Sequence, residues 1–368
     1  MRIAVLANLK KNAPTWEGMP ADQWDDLDSP KTTNALVAAL QSGGHEAEFF
    51  EARIQPPYNL VEKLTAYQPD LCFNIAESHF GDGRESQIPA LLEMLRLPYT
   101  GSQVLSLALA LDKPMTKRIL CYHGLPTPEF QAFESADEPI DDDLLDGDGG
   151  LRFPLFVKPS REGTSMGVSA KSIVRTVDEL YEQVALQLRT YHQPILVEHY
   201  IEGREIMIGM VGNLKPTAAR RLSDRTAPNV LPDTLTFLPA LEVDLGAYDP
   251  SEAGLYTNRM KVELADTYHY FCPAPISGTM LEELQALAAA IFRVTGCRDV
   301  ARVDFRLDAA NEDKPYILEV NPLPGLNPGY SDLCLEAQAA DWPYERLINM
   351  IVDVAAERHG LKTMVESQ

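Results

Sequence analysis

Two short segments near the end of the chain constrain it most: Ala301-Arg302-Val303-Asp304-Phe305 and Tyr316-Ile317-Leu318-Glu319-Val320-Asn321-Pro322. Both are rich in β-branched and apolar residues, and the turn-prone Asp308-Ala309-Ala310-Asn311-Glu312-Asp313 separates them, so the pattern predicts two strands. Side chains alternate along a strand, which places Arg302 with Asp304 on one face and Glu319 with Asn321 on one face. If the strands pair, four polar groups converge. Two carboxylates and an amide oxygen make a hard oxygen set suited to Mg²⁺, with Mn²⁺ also compatible, and Arg302 adds fixed positive charge for an anion. The plainer alternative is a half-exposed hairpin with ordinary charged residues.

A chain of 368 residues exceeds what one hydrophobic core usually serves, and 45% hydrophobic residues suffice to build two or three. The formal charge of −22, with no basic run to offset it, argues against a nucleic-acid partner. Part of the acid lies in residues 22–28 and 134–148, which are expected to be solvated loops. The five cysteines, Cys72, Cys121, Cys272, Cys297 and Cys334, are scattered and lack C-x-x-C spacing, which suits a reduced cytoplasmic setting without disulfides or a zinc site. No apolar run approaches a membrane span.

The opening reads as strand Ile3 to Ala7, helix Thr32 to Gln41 closed by Gly43-Gly44, then strands Ala47 to Phe50 and Asp70 to Ile75. That βαβαβ order implies a parallel sheet with helices on it. Leu105 to Leu111 reads as helix, and a second unit starts at Asp112-Lys113-Pro114 with a helix from Pro114 to His123. Strand Leu155 to Lys158, helix Val177 to Leu188 and strand Ile195 to Glu198 complete an α+β module. Strands at Glu205 to Val211 and Pro216 to Leu222, helix Met280 to Thr295, the hairpin and helix Tyr344 to Arg358 make up the remainder.

The run from Lys158 to Val168, Lys-Pro-Ser-Arg-Glu-Gly-Thr-Ser-Met-Gly-Val, sets a lysine at a strand end before a loop of small residues. Such a loop lets backbone N–H groups approach phosphate oxygens while the lysine supplies a point charge. Taken alone it reads more readily as a glycine-containing hairpin. It is followed about thirty residues on by Ile195-Leu196-Val197-Glu198-His199-Tyr200-Ile201-Glu202-Gly203-Arg204-Glu205, which resembles the adenine-binding connection of the ATP-grasp enzymes. With the Asp304/Glu319/Asn321 trio downstream, all three parts occur in the order of that fold.

The likeness narrows to the D-alanine-D-alanine ligase branch and runs from about Pro69 to the end. It is carried by Pro98-Tyr99-Thr100-Gly101-Ser102, Asp112-Lys113, the Lys158 loop, Glu198 to Glu205, Lys261, Cys272-Pro273-Ala274, Ala301 to Phe305 and Glu319 to Gly325. The resemblance implies a three-domain α/β ATP-grasp architecture: an N-terminal parallel α/β domain over 1–112, a central α+β ATP-grasp module over 113–201 and a C-terminal α+β domain over 202–368. It implies ATP and two Mg²⁺ ions, and a homodimer formed through the N-terminal domain. Lys113 and Lys158 would contact the phosphates, Ser165 would lie in the phosphate loop, Glu198 and the Ile201 backbone would meet adenine, and Glu205 the ribose. Lys261, on a flap, would reach the γ-phosphate. Asp304, Glu319 and Asn321 would hold the metal ions, and Arg302 with the Gly325 N–H would stabilise an anionic tetrahedral intermediate. His79, Thr164 and Ser331 would touch the amino-acid substrates.

Departures from the family fall in its amino-acid half, including residues 80–87, which match only loosely, and 327–332, which replace a run of small hydroxyl residues. Residues 8–30 lack the glycine-rich turn and the glutamate that grips the first ammonium in the D-alanyl-D-alanine ligases, and Val262 stands where a flap tyrosine is expected. Trp16 and Trp24 in that segment could line a pocket or merely pack, and Arg220, Arg221 and Arg225 could receive an anionic arm or balance nearby acids. The expected activity is an ATP-dependent carboxylate-amine ligase working through an acyl phosphate, with cell-wall D-alanyl-D-alanine synthesis as its specific form. The alternatives are a ligase of another amino-acid or natural-product pair, and an ATP-binding sensor without turnover.

Overall fold

The computed structural model describes residues 1–145, 152–215, 234–247, 255–258, 260 and 269–361. Three sheets follow one another along the chain. The first is parallel, with β1 (Arg2–Ala7) between β2 (Glu46–Glu51) and β3 (Leu71–Asn74). The α1 helix (Pro30–Ser42) crosses from β1 to β2; Ser29 caps it by accepting from the Thr32 N–H, and Pro30 opens it two residues earlier than the sequence reading.

The second sheet is antiparallel, in the order β4 (Phe130–Phe133), β7 (Ile195–His199), β5 (Leu155–Pro159), β6 (Ile173–Val174). The third is built on β8 (Gly203–Gly212) and β12 (Val300–Asp308), with β13 (Lys314–Asn321) beyond β12. On the other side of β8 lie β9 (Leu235–Phe237) and β10 (Leu241–Val243), the latter followed by β11 (Tyr270–Phe271). Residues Val300 to Leu307 are all buried because β12 is central in its sheet, and the charged Arg302, Asp304 and Arg306 that alternate with its apolar residues are accommodated through ion pairs.

These sheets do not stand apart. The last helix, Tyr344–Arg358, packs Leu347, Ile348, Ile351, Val352 and Ala355 into the core of β1, β3 and α1, so the chain's end seals its beginning. Arg358 donates to both carboxylate oxygens of the fully buried Asp299 (2.9 and 2.7 Å) and to the Tyr99 carbonyl (2.8 Å). The helix Lys113–Tyr122, capped by Asp112, places Leu120 in the core of the third sheet beside Phe292, Phe305 and Ile317.

The sequence reading missed three helices. Leu60–Tyr67 and Gln87–Leu95 are short, and Asp332–Ala339 buries residues Asp332 to Ala337 almost without interruption, so no amphipathic stripe marks it. Near Leu97 a single bridge pairs Cys72 with Tyr99. The expected strand Pro216 to Leu222, and Arg220, Arg221, Arg225, Lys261 and Val262, lie outside the described residues. Among the described residues no helix is long and apolar enough to cross a membrane.

Candidate active site

The hairpin forms as its pattern predicts. Asp304 stands opposite Glu319 and Arg302 opposite Asn321, while a bulge at Leu318 restarts the register at Phe305 and Ile317. Arg302 grips Asp304 through two hydrogen bonds (2.7 and 2.8 Å), a fork matched to a carboxylate, and its third nitrogen reaches Asp332 at 3.0 Å. Asn321 Nδ2 donates to Asp304 Oδ2 at 3.2 Å, and Glu319 lies 3.5 Å from Lys113 Nζ. Asp304, Glu319 and Asn321 offer oxygen donors only, and a carboxylate has about four lone-pair sites, so Asp304 keeps acceptor capacity beyond these bonds. The donor set therefore fits a hard divalent cation.

Beneath Arg302 lies Glu336, completely buried. Burial pushes its carboxyl far above the usual range, with Asp332 and Asp304 adding to the effect and Arg302 opposing it. Gly209 leaves room for it: a Cβ there would lie 1.9 Å from Glu336 Oε2.

A first cavity opens between the second and third sheets. Lys113, Lys158, Ser165, Glu198, Ile201, Glu205, Asp304 and Glu319 all line it. Glu198 is its fixed centre, receiving Lys158 Nζ at 2.7 Å and Lys117 Nζ at 2.6 Å. Burial works against its charge, but the two ammonium groups outweigh burial and hold the Glu198 carboxyl below the usual range. The same pairing, with help from Glu319, lifts Lys158 above the usual lysine value despite its burial. Lys117 went unnoticed in the sequence. Its signal was the spacing of four from Lys113, which puts both on one face of a helix. Glu205 pairs with Arg306 at 3.3 Å.

The loop after Lys158 turns on two consecutive left-handed residues, Thr164 (φ 46°) and Ser165 (φ 53°), and on Gly167 (φ 76°). Non-glycine residues seldom adopt that region, so the loop is held by its surroundings rather than by local preference. Ser165 Oγ donates to the Tyr256 carbonyl (2.9 Å), Asn258 Nδ2 donates to the Thr164 carbonyl (3.1 Å), and the Gly167 N–H donates to Asp22 (2.8 Å).

A second cavity, of about 520 Å³, lies beyond the hairpin and is lined by Thr164, Arg302, Glu319, Asn321, Gly325, Ser331 and Asp332. Lys113, Glu162, Gly163, Tyr256 and Glu319 line both cavities and form their common wall. Ser331 Oγ accepts from the Asn327 N–H at 2.9 Å. His79 does not line either cavity; it packs edge-on against Trp24, and burial aided by Arg53 lowers its imidazole to about 4, which keeps it neutral.

The acidic segment 22–28 is not a solvated loop, contrary to the sequence reading. Asp22 accepts from Gly167 and from the Tyr191 hydroxyl, Asp25 from Lys10 and Asn258, and Asp26 from Arg84 at 2.9 Å. The segment is drawn in because the phosphate-type loop and Arg84 offer donors that water would otherwise satisfy. Trp24, 5% exposed, packs among Trp16, His79 and Phe80, which settles its role as packing. The described part of 134–148 does match the expectation, with Glu134, Asp137, Asp141 and Asp142 exposed.

Two cavities on either side of a hairpin that carries Arg302, Asp304, Glu319 and Asn321, framed by two antiparallel sheets, define an ATP-grasp fold. A family model described as "D-ala D-ala ligase C-terminus" matches residues 119–229 and 242–353, and the chain belongs to that family. It is 33% identical to a D-alanine–D-alanine ligase of Cupriavidus pinatubonensis over 88% of this chain and 85% of the relative. It is also 35% identical to the uncharacterised protein y4sG of Sinorhizobium fredii, over 89% and 88%. A crystal structure of the D-alanine–D-alanine ligase from Bacillus anthracis complexed with ATP has the same fold, with a TM-score of 0.69 at 24% identity, covering 98% of this chain and 99% of that one.

Proposed function

We propose that the protein is an ATP-dependent carboxylate-amine ligase that activates its acid as an acyl phosphate. The observation that carries this reading is the common wall. Lys113, Glu162, Gly163, Tyr256 and Glu319 face both cavities, so a nucleotide whose phosphates reach that wall would meet an acid bound on the other side. A carboxylate is a poor electrophile, and its oxygen must approach an equally anionic phosphate. The demand is for neutralising charge and alignment, not for a protein nucleophile.

The residues suit that demand. Glu198, held ionised with the buried Lys117 as its second partner, fixes Lys158 where phosphate charge would accumulate, and Lys113, donating to the Glu162 carbonyl at 2.6 Å, stands where the phosphoryl group would cross. Glu198, the Ile201 backbone and Glu205 would take the adenosine, and Ser165 the phosphate loop. Asp304, Glu319 and Asn321 would hold Mg²⁺, which when bound would neutralise the phosphate oxygens. Arg302, anchored by Asp304 and Asp332, and the Gly325 N–H would face the oxyanion formed when the amine adds to the acyl phosphate; the C–N bond forms first, collapse of the oxyanion then breaks the C–O bond to phosphate, and the amine's proton leaves with phosphate or to solvent. Thr164 and Ser331 would contact the substrates. Lys261 is proposed for the γ-phosphate on sequence resemblance alone. We take 1–112, 113–201 and 202–368 as the working domain divisions.

The test is amino-acid-dependent release of ADP and phosphate from Mg·ATP, run with hydroxylamine, which converts an acyl phosphate into a hydroxamate. The proposal predicts both products and their loss in Glu319→Ala. ADP release with no dependence on any acid or amine would contradict it.

A further inference from the structure

The second cavity holds more carboxyl groups than a single substrate ammonium calls for. Five carboxyl groups, Asp26, Asp28, Glu77, Glu85 and Glu162, line it around one guanidinium, that of Arg84. Arg84 is already committed: it donates to Asp26 at 2.9 Å, to Glu162 at 3.3 Å and to the Arg161 carbonyl at 2.6 Å. The lining cations are committed as well, Lys113 to the Glu162 carbonyl and Glu319, and Arg302 to Asp304 and Asp332; Lys31 is exposed. Asp28, Glu77 and Glu85 are therefore left without an ion pair among the described residues.

A separate observation points the same way. Asp26 has a side chain only 5% exposed and lines the cavity, yet its Oδ1 is fully enclosed and accepts no hydrogen bond among the described residues. A buried acceptor left unmet is unfavourable, so the site is short of a donor as well as of an ion-pair partner. Burial raises all three carboxyls, Glu85 and Asp28 to about 7 and Glu77 well above its usual value; Asp26 adds to each, while Arg84 opposes the rise at Glu77 and Glu85, Lys113 at Glu85 and the Thr32 hydrogen bond at Asp28. All three would respond to an incoming cation by releasing protons to solvent.

The family's glutamate for the first ammonium is missing from residues 8–30, and one carboxylate would have replaced it. Lys113 and Glu319, in the wall shared with the nucleotide cavity, mark the reacting end, and Asp26 lies close enough to act on Asp28, Glu77 and Glu85 alike. Resting on the ligase reading above, we propose that this cavity takes a diamino acid, whose carboxylate end lies toward Arg302 and Gly325 and whose second ammonium sits among Asp26, Asp28 and Glu77. A volume of about 520 Å³ falls within the roughly 300–1,000 Å³ typical of ligand pockets and leaves space for a three- or four-carbon arm.

The experiment compares matched pairs in the ADP-release assay with Mg·ATP. Diaminobutyrate, ornithine and lysine are set against 2-aminobutyrate, norvaline and norleucine, in both enantiomers. At least one diamino acid should exceed its neutral counterpart in kcat/KM by tenfold or more. Glu77→Gln and Asp28→Asn should shrink that preference toward unity by raising KM for the diamino acid alone. Thermal stabilisation by Mg·AMP-PNP, read on every variant, reports folding and the nucleotide site. Equal rates within each pair, no response to any of them, or a preference unchanged in both variants would overturn the inference while leaving the ligase reading in place, provided nucleotide stabilisation persists. Absence of that stabilisation in the unaltered protein would overturn both.

Discussion

The two cavities share a wall but balance charge in opposite ways. On the nucleotide side every buried charge has a counterpart: Glu198 meets Lys117 and Lys158, Glu205 meets Arg306, and Asp304 meets Arg302. On the far side, Asp28, Glu77 and Glu85 have no ion pair of their own among the described residues, and Arg84, committed to Asp26 and Glu162, only partly offsets Glu77 and Glu85. Paired charges make a site that is formed before its ligand arrives, because each desolvated group already has its partner. Unpaired ones make a site completed by its ligand. The contrast follows the chemistry of the proposed reaction, in which the nucleotide is a fixed requirement and the second substrate is what distinguishes one ligase from another.

The sharpest way to break the comparison is at the wall itself. Glu319→Ala should lower substrate-dependent ADP release by roughly 10²–10³-fold, with thermal melting little changed because its side chain is 27% exposed. Retained turnover would remove Glu319 from the metal set. Next in size is Glu198→Ala, which strands two buried ammonium groups and should cost about 3–5 kcal/mol in denaturant unfolding. A loss under 1 kcal/mol would mean that the pairing is not what organises the nucleotide side.

The unpaired side should respond to pH. Burial, with Asp26 adding and the Thr32 hydrogen bond opposing, lifts the Asp28 carboxyl from 3.8 to about 7. A folded state that holds the proton more tightly than the unfolded chain is favoured at low pH, and its advantage is lost as pH rises from about 4 through 7. Asp28→Asn should therefore raise Tm by a few degrees at pH 8, about 1–2 kcal/mol, and leave it nearly unchanged at pH 4. The reverse trend would show that Asp28 is ionised and paired. The smallest effect is expected at Trp16, 45% exposed and edge-on to Trp24. Trp16→Ala should cost about 1 kcal/mol or less of stability and leave nucleotide stabilisation intact; a loss of turnover without loss of stability would return Trp16 to the substrate site.

The paired side was legible in the sequence because its residues lie close together in regular elements. Alternation in two strands was enough to bring Arg302, Asp304, Glu319 and Asn321 together, and the pairing in register follows. The helix from Tyr344 to Arg358 was equally legible, since its apolar residues recur at helical spacing. The unpaired side was not. Asp22, Asp25 and Asp26 looked like a solvated run because their donors come from residues 84, 167, 191 and 258, distant in the chain. Glu77 precedes a turn and Glu85 sits in the single-turn helix Arg84–Ser86, which carries no apolar pattern, and Arg84 stood unread beside it. Charge clusters assembled from loops carry no periodicity, so only the folded chain reveals them.

The measurement that tests the central claim most directly is a panel of ADP-release assays with product mass spectrometry, on one purified preparation with Mg·ATP. D-alanine is compared with other mono- and diamino acids, singly and in pairs. The account predicts ADP formation that depends on an amino acid, a product lighter than its two substrates by one water, and a preference for a diamino acid over D-alanine. D-alanyl-D-alanine formed from D-alanine at least as fast as any other product would contradict the claim that the second cavity has been rebuilt for a different substrate.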